Sequence, residues 1–365
     1  MKQKALFLLF LLLMLLLYGC AAGPQAGSLE TPPATTMPVP ITAPPDSLGT
    51  IASTEQVEDY FPVLQNTRLT YAGTGFEFAA FVTETEFFAD NKLQLRVDNG
   101  GTILSKVYKW ENGQLVQVLS QEEAYVRENL LHAAETEANI LLKEPLTQGT
   151  AWDTLSGRRN ITGVNVAVSC PAGEYQALEV TTQGSESKTI DYYAKEIGLI
   201  KSIFQTGSTE IISELAEIKK DTPFFQFVRL YYPGPNGEGR FYREVQLSIP
   251  TNGTFADAMQ EAYKVPPGKQ AGTVFPSGTK ILALSKTEQN AVHLDVNQAF
   301  VSELNQTPAY VQGVLHCIAD TFGSLYQVEN VLITVEGKPF QAGSFSLKEG
   351  ETISVEKTEA TIIID

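Results

Sequence analysis

Few side chains in this sequence could carry chemistry. There are 3 histidines, His132, His293 and His316, and 3 cysteines, Cys20, Cys170 and Cys317. His293 stands two residues before Asp295. On a strand, that spacing puts both side chains on one face, as an acid–base or metal pair or as a plain polar row. The polar row is the expectation, with Val292, Leu294 and Val296 turned into the core. His316 and Asp320 have the i, i+4 spacing of a helix ion pair, and His132, near Glu128 and Glu135, reads as solvated. The sequence contains no His-Glu-x-x-His, Cys-x-x-Cys or Gly-x-Ser-x-Gly, so zinc sites and elbow-type serine hydrolases lack their ligands or geometry. Gly234-x-x-Gly237-x-Gly239 has a phosphate loop's composition, but it precedes a strand rather than opening a helix, so it reads as a hairpin turn. No Asp-x-Asp-x-Asp-Gly calcium loop occurs, and spacing singles out no glycosidase pair among the 42 carboxylates. The expectation is a protein that is not an enzyme and holds no metal and no cofactor.

Cys20 is different because of what precedes it. Lys2 and Lys4 lead into an apolar run from Ala5 to Leu17, followed by Tyr18, Gly19 and Cys20. A basic start, a short apolar core and a small residue before a cut form an export signal. The run holds about 13 residues, too few for a bilayer core that needs roughly 20. Through Leu17, Gly19 and Cys20 this stretch resembles a bacterial lipoprotein signal. The resemblance implies cleavage after Gly19 and acylation of the Cys20 thiol, which would place the mature chain on the extracytoplasmic face of the cell membrane. Tyr18 departs from the small or aliphatic residue usual there. The alternative is an ordinary secretory signal with an incidental cysteine.

The formal net charge is −16, and losing Lys2 and Lys4 with the signal takes it to −18. Such a chain is unsuited to nucleic acid, whose phosphates demand Lys/Arg clusters, and to adhesion on anionic lipid. Membrane attachment would rest on acyl chains. Cys170 and Cys317 remain as a disulfide pair, permitted outside the cell, or as two buried free thiols. The free thiols are the expectation.

These residues must be positioned by distinct regions. Residues 1–19 are the signal and 20–52 a tether, rich in proline from Pro24 to Pro45 and extended to at most roughly 90 Å. Residues 53–219 read as β. Leu93 to Val97, Ile103 to Trp110 and Leu115 to Leu119 are separated by Asp98-Asn99-Gly100-Gly101 and Glu111-Asn112-Gly113, the turns of an antiparallel meander. Glu122 to Leu142 is ambiguous, since the spacing of Leu130, Leu131, Ala134, Ala138, Leu141 and Leu142 allows one helix. The region is expected to form an antiparallel β-rich domain that could be an open half-barrel.

Residues 224–345 read as α/β, with 346–365 as a C-terminal extension. Thr254 caps a helix with Asp257 at the capping-box position. Thr307-Pro308 opens a second helix whose stripe is Val311, Val314, Leu315, Ile318 and Phe322, closed by Gly323. Strands are expected at Phe227 to Tyr232, Phe241 to Ile249, Lys280 to Leu284, Ala291 to Val296 and Val328 to Val335. In order and spacing these pieces resemble the GerMN (sporulation and spore germination) domain over about residues 227–340. The carriers are Val228 to Pro233, Phe275 to Leu282, Ala291 to Val296 with Phe300, and Val328 to Gly337. Tyr263 to Gly268 stands where that family has Leu-Leu-x-Gly-Pro. The resemblance implies a two-helix α/β sandwich, a non-enzymatic module found on Gram-positive lipoproteins and, in sporulating relatives, assembly between membranes.

The fold class expected is therefore α+β, a β-rich domain followed by a GerMN-type sandwich. The function expected is lipid-anchored binding or assembly in the cell envelope, with an envelope protein or further copies of itself as partner. The alternative is a carrier of a lipid or other hydrophobic ligand. It requires a concave cavity lined by Phe, Leu and Val between residues 60 and 215, and a domain filled to its centre would exclude it.

Overall fold

Period-two alternation builds the first sheet. The computed structural model describes residues 55–356 and 359–363; the signal, Cys20 and the tether lie outside the described residues. Twelve strands follow one another: β1 (Arg68–Thr74), β2 (Phe81–Ala89), β3 (Lys92–Asp98), β4 (Ile103–Glu111), β5 (Gln114–Gln121), β6 (Asn139–Lys143), β7 (Ala151–Thr154), β8 (Gly157–Cys170), β9 (Gly173–Gln183), β10 (Ser187–Ala194), β11 (Gly198–Thr206) and β12 (Thr209–Lys219). They form one antiparallel sheet in the order β6-β5-β4-β3-β2-β1-β12-β11-β10-β9-β8-β7. The turn between β4 and β5 puts Asn112 and Gly113 at φ 53° and 66°, the left-handed pair that a two-residue hairpin requires.

The sheet curls further than a half-barrel and nearly closes. Its edges, β6 and β7, meet through side chains rather than backbone ladders: the Trp152 indole donates to Ile140 O at 3.0 Å, and Arg159 Nε donates to Leu141 O at 3.0 Å. One end of the interior is filled by Val57, Tyr60, Leu115, Leu142, Ile161 and Leu178, among others.

Glu122 to Leu142 forms no helix. The segment runs as irregular backbone over the outer face of the sheet until β6 begins. Its amides find partners on the sheet instead of within a helix: Ala124 N on Ile103 O at 2.9 Å, Thr136 N on Val118 O at 2.9 Å and Leu130 N on Gln94 Oε1 at 2.7 Å. Leu131 buries against Phe87, Val107 and Val116. Its apolar residues thus cover a sheet face, a burial that helical spacing alone does not distinguish from an amphipathic stripe.

The second half is the expected sandwich. β13 (Phe224–Pro233) and β14 (Arg240–Ile249) pair over their whole length. β15 (Ile281–Lys286), β16 (Val292–Val296), β17 (Asn330–Val335) and β18 (Lys338–Pro339) form a mixed sheet in which β16 and β17 run parallel. The helices are α1 (Phe255–Tyr263), the short and unanticipated α2 (Gln298–Ser302), and α3 (Pro308–Tyr326). Val311, Val314, Leu315, Ile318 and Phe322 are all buried in the core between the layers. Gly323 does not end α3, which continues to Tyr326 before Gln327 turns left-handed at φ 55°. The glycine is needed for close approach, since a Cβ there would lie 2.2 Å from Val355 Cγ2. A small hairpin, β19 (Gln341–Ala342) with β20 (Phe345–Ser346), follows. The last residues join the sheets: β21 (Thr352–Ser354) pairs with β17, and β22 (Thr361–Ile362) lies parallel to β14.

Thr254 caps α1 as expected. Its Oγ1 accepts from Asp257 N at 3.1 Å and donates to Asp257 Oδ2 at 2.6 Å. Thr254→Ala should cost about 1 kcal/mol, read as a lowered denaturation midpoint at unchanged m-value.

A polar junction fixes the two sheets to each other within one compact unit. The loop after β14 is stitched to the first sheet: Asn66 and Thr251 exchange two hydrogen bonds of 2.8 Å, and Asn252 N donates to Glu86 O at 2.9 Å. Arg127 is the centre of this junction. Nη2 donates to Glu86 O at 2.5 Å and to Pro250 O at 3.0 Å, Nε donates to Gly253 O at 3.2 Å, and the guanidinium lies 4.6 Å from the Phe87 ring centre. Beneath it the Glu86 carboxylate is fully buried, bonded by Gln94 at 2.7 Å and Ser105 at 3.1 Å, with Arg96 at 3.9 Å. Burial pushes the Glu86 pKa up, opposed first by the charge of Arg127 and then by the Gln94 hydrogen bond.

Candidate functional site

Alternation gives each strand of the first sheet an inner face, and on β1 to β4 that face is not filled. A cavity of about 300 Å³ lies there, at the lower end of the range for small-molecule sites. Its walls are every second residue: Leu69 and Tyr71 on β1, Phe81 and Thr83 on β2, Leu95 and Val97 on β3, and Leu104, Lys106 and Tyr108 on β4. Phe61, Leu64, Phe78 and Leu199 also line it, and Thr67, Thr85 and Asn99 are among its polar members. Part of the interior, under β1 to β4, is therefore open. Tyr71 is committed, its hydroxyl donating to Leu199 O at 2.7 Å. Lys106 is the only ionisable ammonium or carboxylate in the lining. Burial lowers its pKa, and the charge of Glu137 partly restores it. Sequence reasoning missed Lys106, although Leu104-x-Lys106-x-Tyr108 already placed a cation in phase with apolar neighbours.

A second feature is a surface. On β13 and β14 the outward residues face each other as Phe225–Ser248, Phe227–Gln246, Arg229–Glu244 and Tyr231–Tyr242. Phe227 is 71% exposed and Phe225 46%. Arg229 pairs with Glu244 at 2.9 Å and lies 5.0 Å from the Tyr242 ring centre, so the aromatic row runs beside an exposed ion pair.

The residues that spacing singled out are placed as follows. His293 and Asp295 share a face of β16 and are bridged by Thr334 of β17. His293 Nε2 and Thr334 Oγ1 lie 2.8 Å apart, and Thr334 Oγ1 donates to Asp295 Oδ1 at 2.5 Å. Asp295 also accepts from Gly337 N at 2.9 Å. The threonine proton is committed to the carboxylate, so the row ties two parallel strands and leaves no free nucleophile. Val292, Leu294 and Val296 are buried beneath it.

His316 does not pair with Asp320. Its Nδ1 lies 3.3 Å from Glu356 Oε1, and Asp320 is taken by Arg240, which also holds Glu356 at 3.0 Å. The i, i+4 partner loses because the C-terminal segment and β14 bring better-placed charges to that side of α3. His132 is exposed. Gly234 to Gly239 connects β13 to β14 as a turn, and Cys170 and Cys317 are free, buried thiols in separate cores. Among the described residues no group of three His, Cys, Asp or Glu side chains could hold a metal ion, and no helix is long and apolar enough to cross a membrane.

The family described as Germane, sporulation and spore germination, matches residues 229–341. That is the stretch in which the sequence resembles a GerMN domain, and it links the chain to sporulation and germination proteins. Among solved structures, the tandem GerMN domains of the sporulation protein GerM from Bacillus subtilis are 23% identical, with a TM-score of 0.29, over 38% of this chain and 48% of that one. A Bacteroides fragilis protein described as exported, with a YmcC-like fold, is 13% identical with a TM-score of 0.29, over 44% of this chain and 99% of that one. A search of curated proteins finds no match.

Proposed function

We propose that the protein is a lipid-anchored assembly protein on the extracytoplasmic face of the cell membrane, in sporulation or germination. Its Germane-type domain makes contacts with an envelope protein or a second copy of the chain. The observation that carries this reading is the aromatic face of β13 and β14, where Phe225 and Phe227 stay exposed within a domain whose other large apolar residues are mostly buried. Exposed aromatic anchors beside an exposed Arg–Glu pair have the make-up of a contact hot spot. The reading involves no enzymatic step and no nucleic acid. Acyl chains on Cys20 supply the membrane attachment that the acidic surface cannot.

A photoreactive residue replacing Phe227, irradiated in intact cells of the source organism, should give one discrete adduct, to another protein or to a second copy. One replacing the exposed Glu288 should not. Equal labelling at both positions, or none at Phe227, would remove the contact reading. Cys20→Ser should move the protein to the soluble fraction, and retention on membranes would overturn the anchor.

A further inference from the structure

We propose that the cavity under β1 to β4 binds a single-chain amphiphile with an anionic head group, its chain lying among Leu69, Phe81, Leu95 and Leu104 and its head group meeting the Lys106 ammonium. The proposal goes beyond the contact function and stands on different residues.

Three observations carry it. The first is the cavity itself. A domain of this size packs its interior closely, with few voids larger than a water molecule. Here about 300 Å³ is left open between walls that are mainly apolar, with Thr83, Thr85, Asn99 and Lys106 among them. The space is enough for one short acyl chain.

The second is Lys106. A lysine seldom turns toward an apolar inner face without a partner, yet this half-buried one projects from the inner face of β4 between Leu104 and Tyr108. Among the described residues no carboxylate lies within ion-pair distance of its ammonium. Glu137, the nearest acidic influence, is bonded to Gln117 Nε2 at 2.7 Å. An anion entering the cavity would supply the missing partner in a setting of low dielectric, where a charge-assisted hydrogen bond is strong.

The third is the mouth. The short turn Glu77–Ala79 between β1 and β2 carries the Phe78 ring across to the β3–β4 turn, where Gly101 makes room for it: a Cβ at Gly101 would lie 2.5 Å from Phe78 Cε1. Phe76, 55% exposed, packs edge-on against Phe78 at 5.5 Å. One aromatic ring, Phe78, thus borders the cavity, and the exposed Phe76 ring behind it extends the apolar surface outward.

The test uses the chain carrying Cys20→Ser, stripped of bound lipid on a hydrophobic resin and titrated with 11-(dansylamino)undecanoic acid. The expected result is a saturable rise in emission at one probe per chain, displaced by laurate or by dodecyl phosphate; the stronger of the two identifies a carboxylate or a phosphate head group. Lys106→Met, which keeps the stem and removes the charge, should weaken displacement by both anions about ten-fold and leave displacement by uncharged dodecanol unchanged. It should fold at least as well as the parent, because it removes a desolvated cation. Leu95→Trp, which fills the cavity, should abolish probe binding with unchanged circular dichroism. No saturable binding by the parent, or equal anion affinity in Lys106→Met, would overturn the proposal. Either result leaves the adduct expected at Phe227 untouched.

Discussion

Arg127→Met should lower the free energy of unfolding by about 3–5 kcal/mol, the usual consequence of removing one member of a buried charged group and leaving the other. Arg127 closes the junction between the sheets with three hydrogen bonds to backbone oxygens and is the charge that most opposes the cost of burying the Glu86 carboxylate. Met preserves the stem packed on Phe87 but returns neither contribution. The loss should depend on pH in a direction fixed by Glu86. Its folded pKa is raised by burial, so between the unfolded and folded values the native state holds the proton more tightly, and stability falls as pH rises through that window. Without Arg127 the folded pKa climbs further. The difference between variant and parent should therefore be smallest near pH 4, where only the three lost hydrogen bonds count, and largest at neutral pH. Urea denaturation at a series of pH values measures it. Adding Glu86→Gln should recover most of the neutral-pH loss by removing the charge that Arg127 offset; a loss that stays constant with pH and is not recovered would show that only the backbone hydrogen bonds matter.

The contrast with the sequence is instructive at this residue. Strands were readable because Leu93 to Val97 and Ile103 to Trp110 alternate and Asn112-Gly113 announces its turn, all local signals. Thr254 with Asp257 was readable for the same reason. Arg127 was not, because nothing around it indicates that its partners are Glu86 and the backbone at Pro250 and Gly253, more than a hundred residues on. The ambiguity over Glu122 to Leu142, where spacing allowed one helix, is resolved on the same non-local ground: Leu131 is buried by strands from other segments, and Leu141 and Leu142 enter β6. His316 shows the effect on a small scale, since a partner four residues away lost to Glu356, forty residues away. Lys106 was half legible. Its phase with Leu104 and Tyr108 put it on the inner face, but only the curl of the sheet shows that this face encloses space.

Arg159→Met tests whether side chains hold the nearly closed sheet shut. Arg159 on β8 donates to Thr182 on β9 at 2.8 Å, to Asp191 and Tyr193 on β10 at 2.8 and 3.1 Å, and to Leu141 O on β6 at 3.0 Å. One guanidinium therefore neutralises a buried carboxylate and, from β8 next to the edge strand β7, reaches across the seam to β6. These roles separate by experiment. Arg159→Met should cost about 3–5 kcal/mol by stranding Asp191, which keeps only Ser202 as a side-chain partner, at 2.6 Å. Arg159→Met with Asp191→Asn should recover most of that loss, since the stranded charge is gone. The seam should not recover, because no other guanidinium reaches Leu141 O. Amide exchange across residues 139–143 and 151–154 should stay faster than in the parent for both variants, whatever the global stability. Trp152→Phe, which removes the other seam bond and no charge, should reproduce the faster exchange at a cost of only about 1 kcal/mol. If exchange at the seam instead tracks global stability across all three variants, the edges are held by packing of the core beneath them. The unfilled space on the inner face of β1 to β4 would then owe its shape to that core and not to the clasp between β6 and β7.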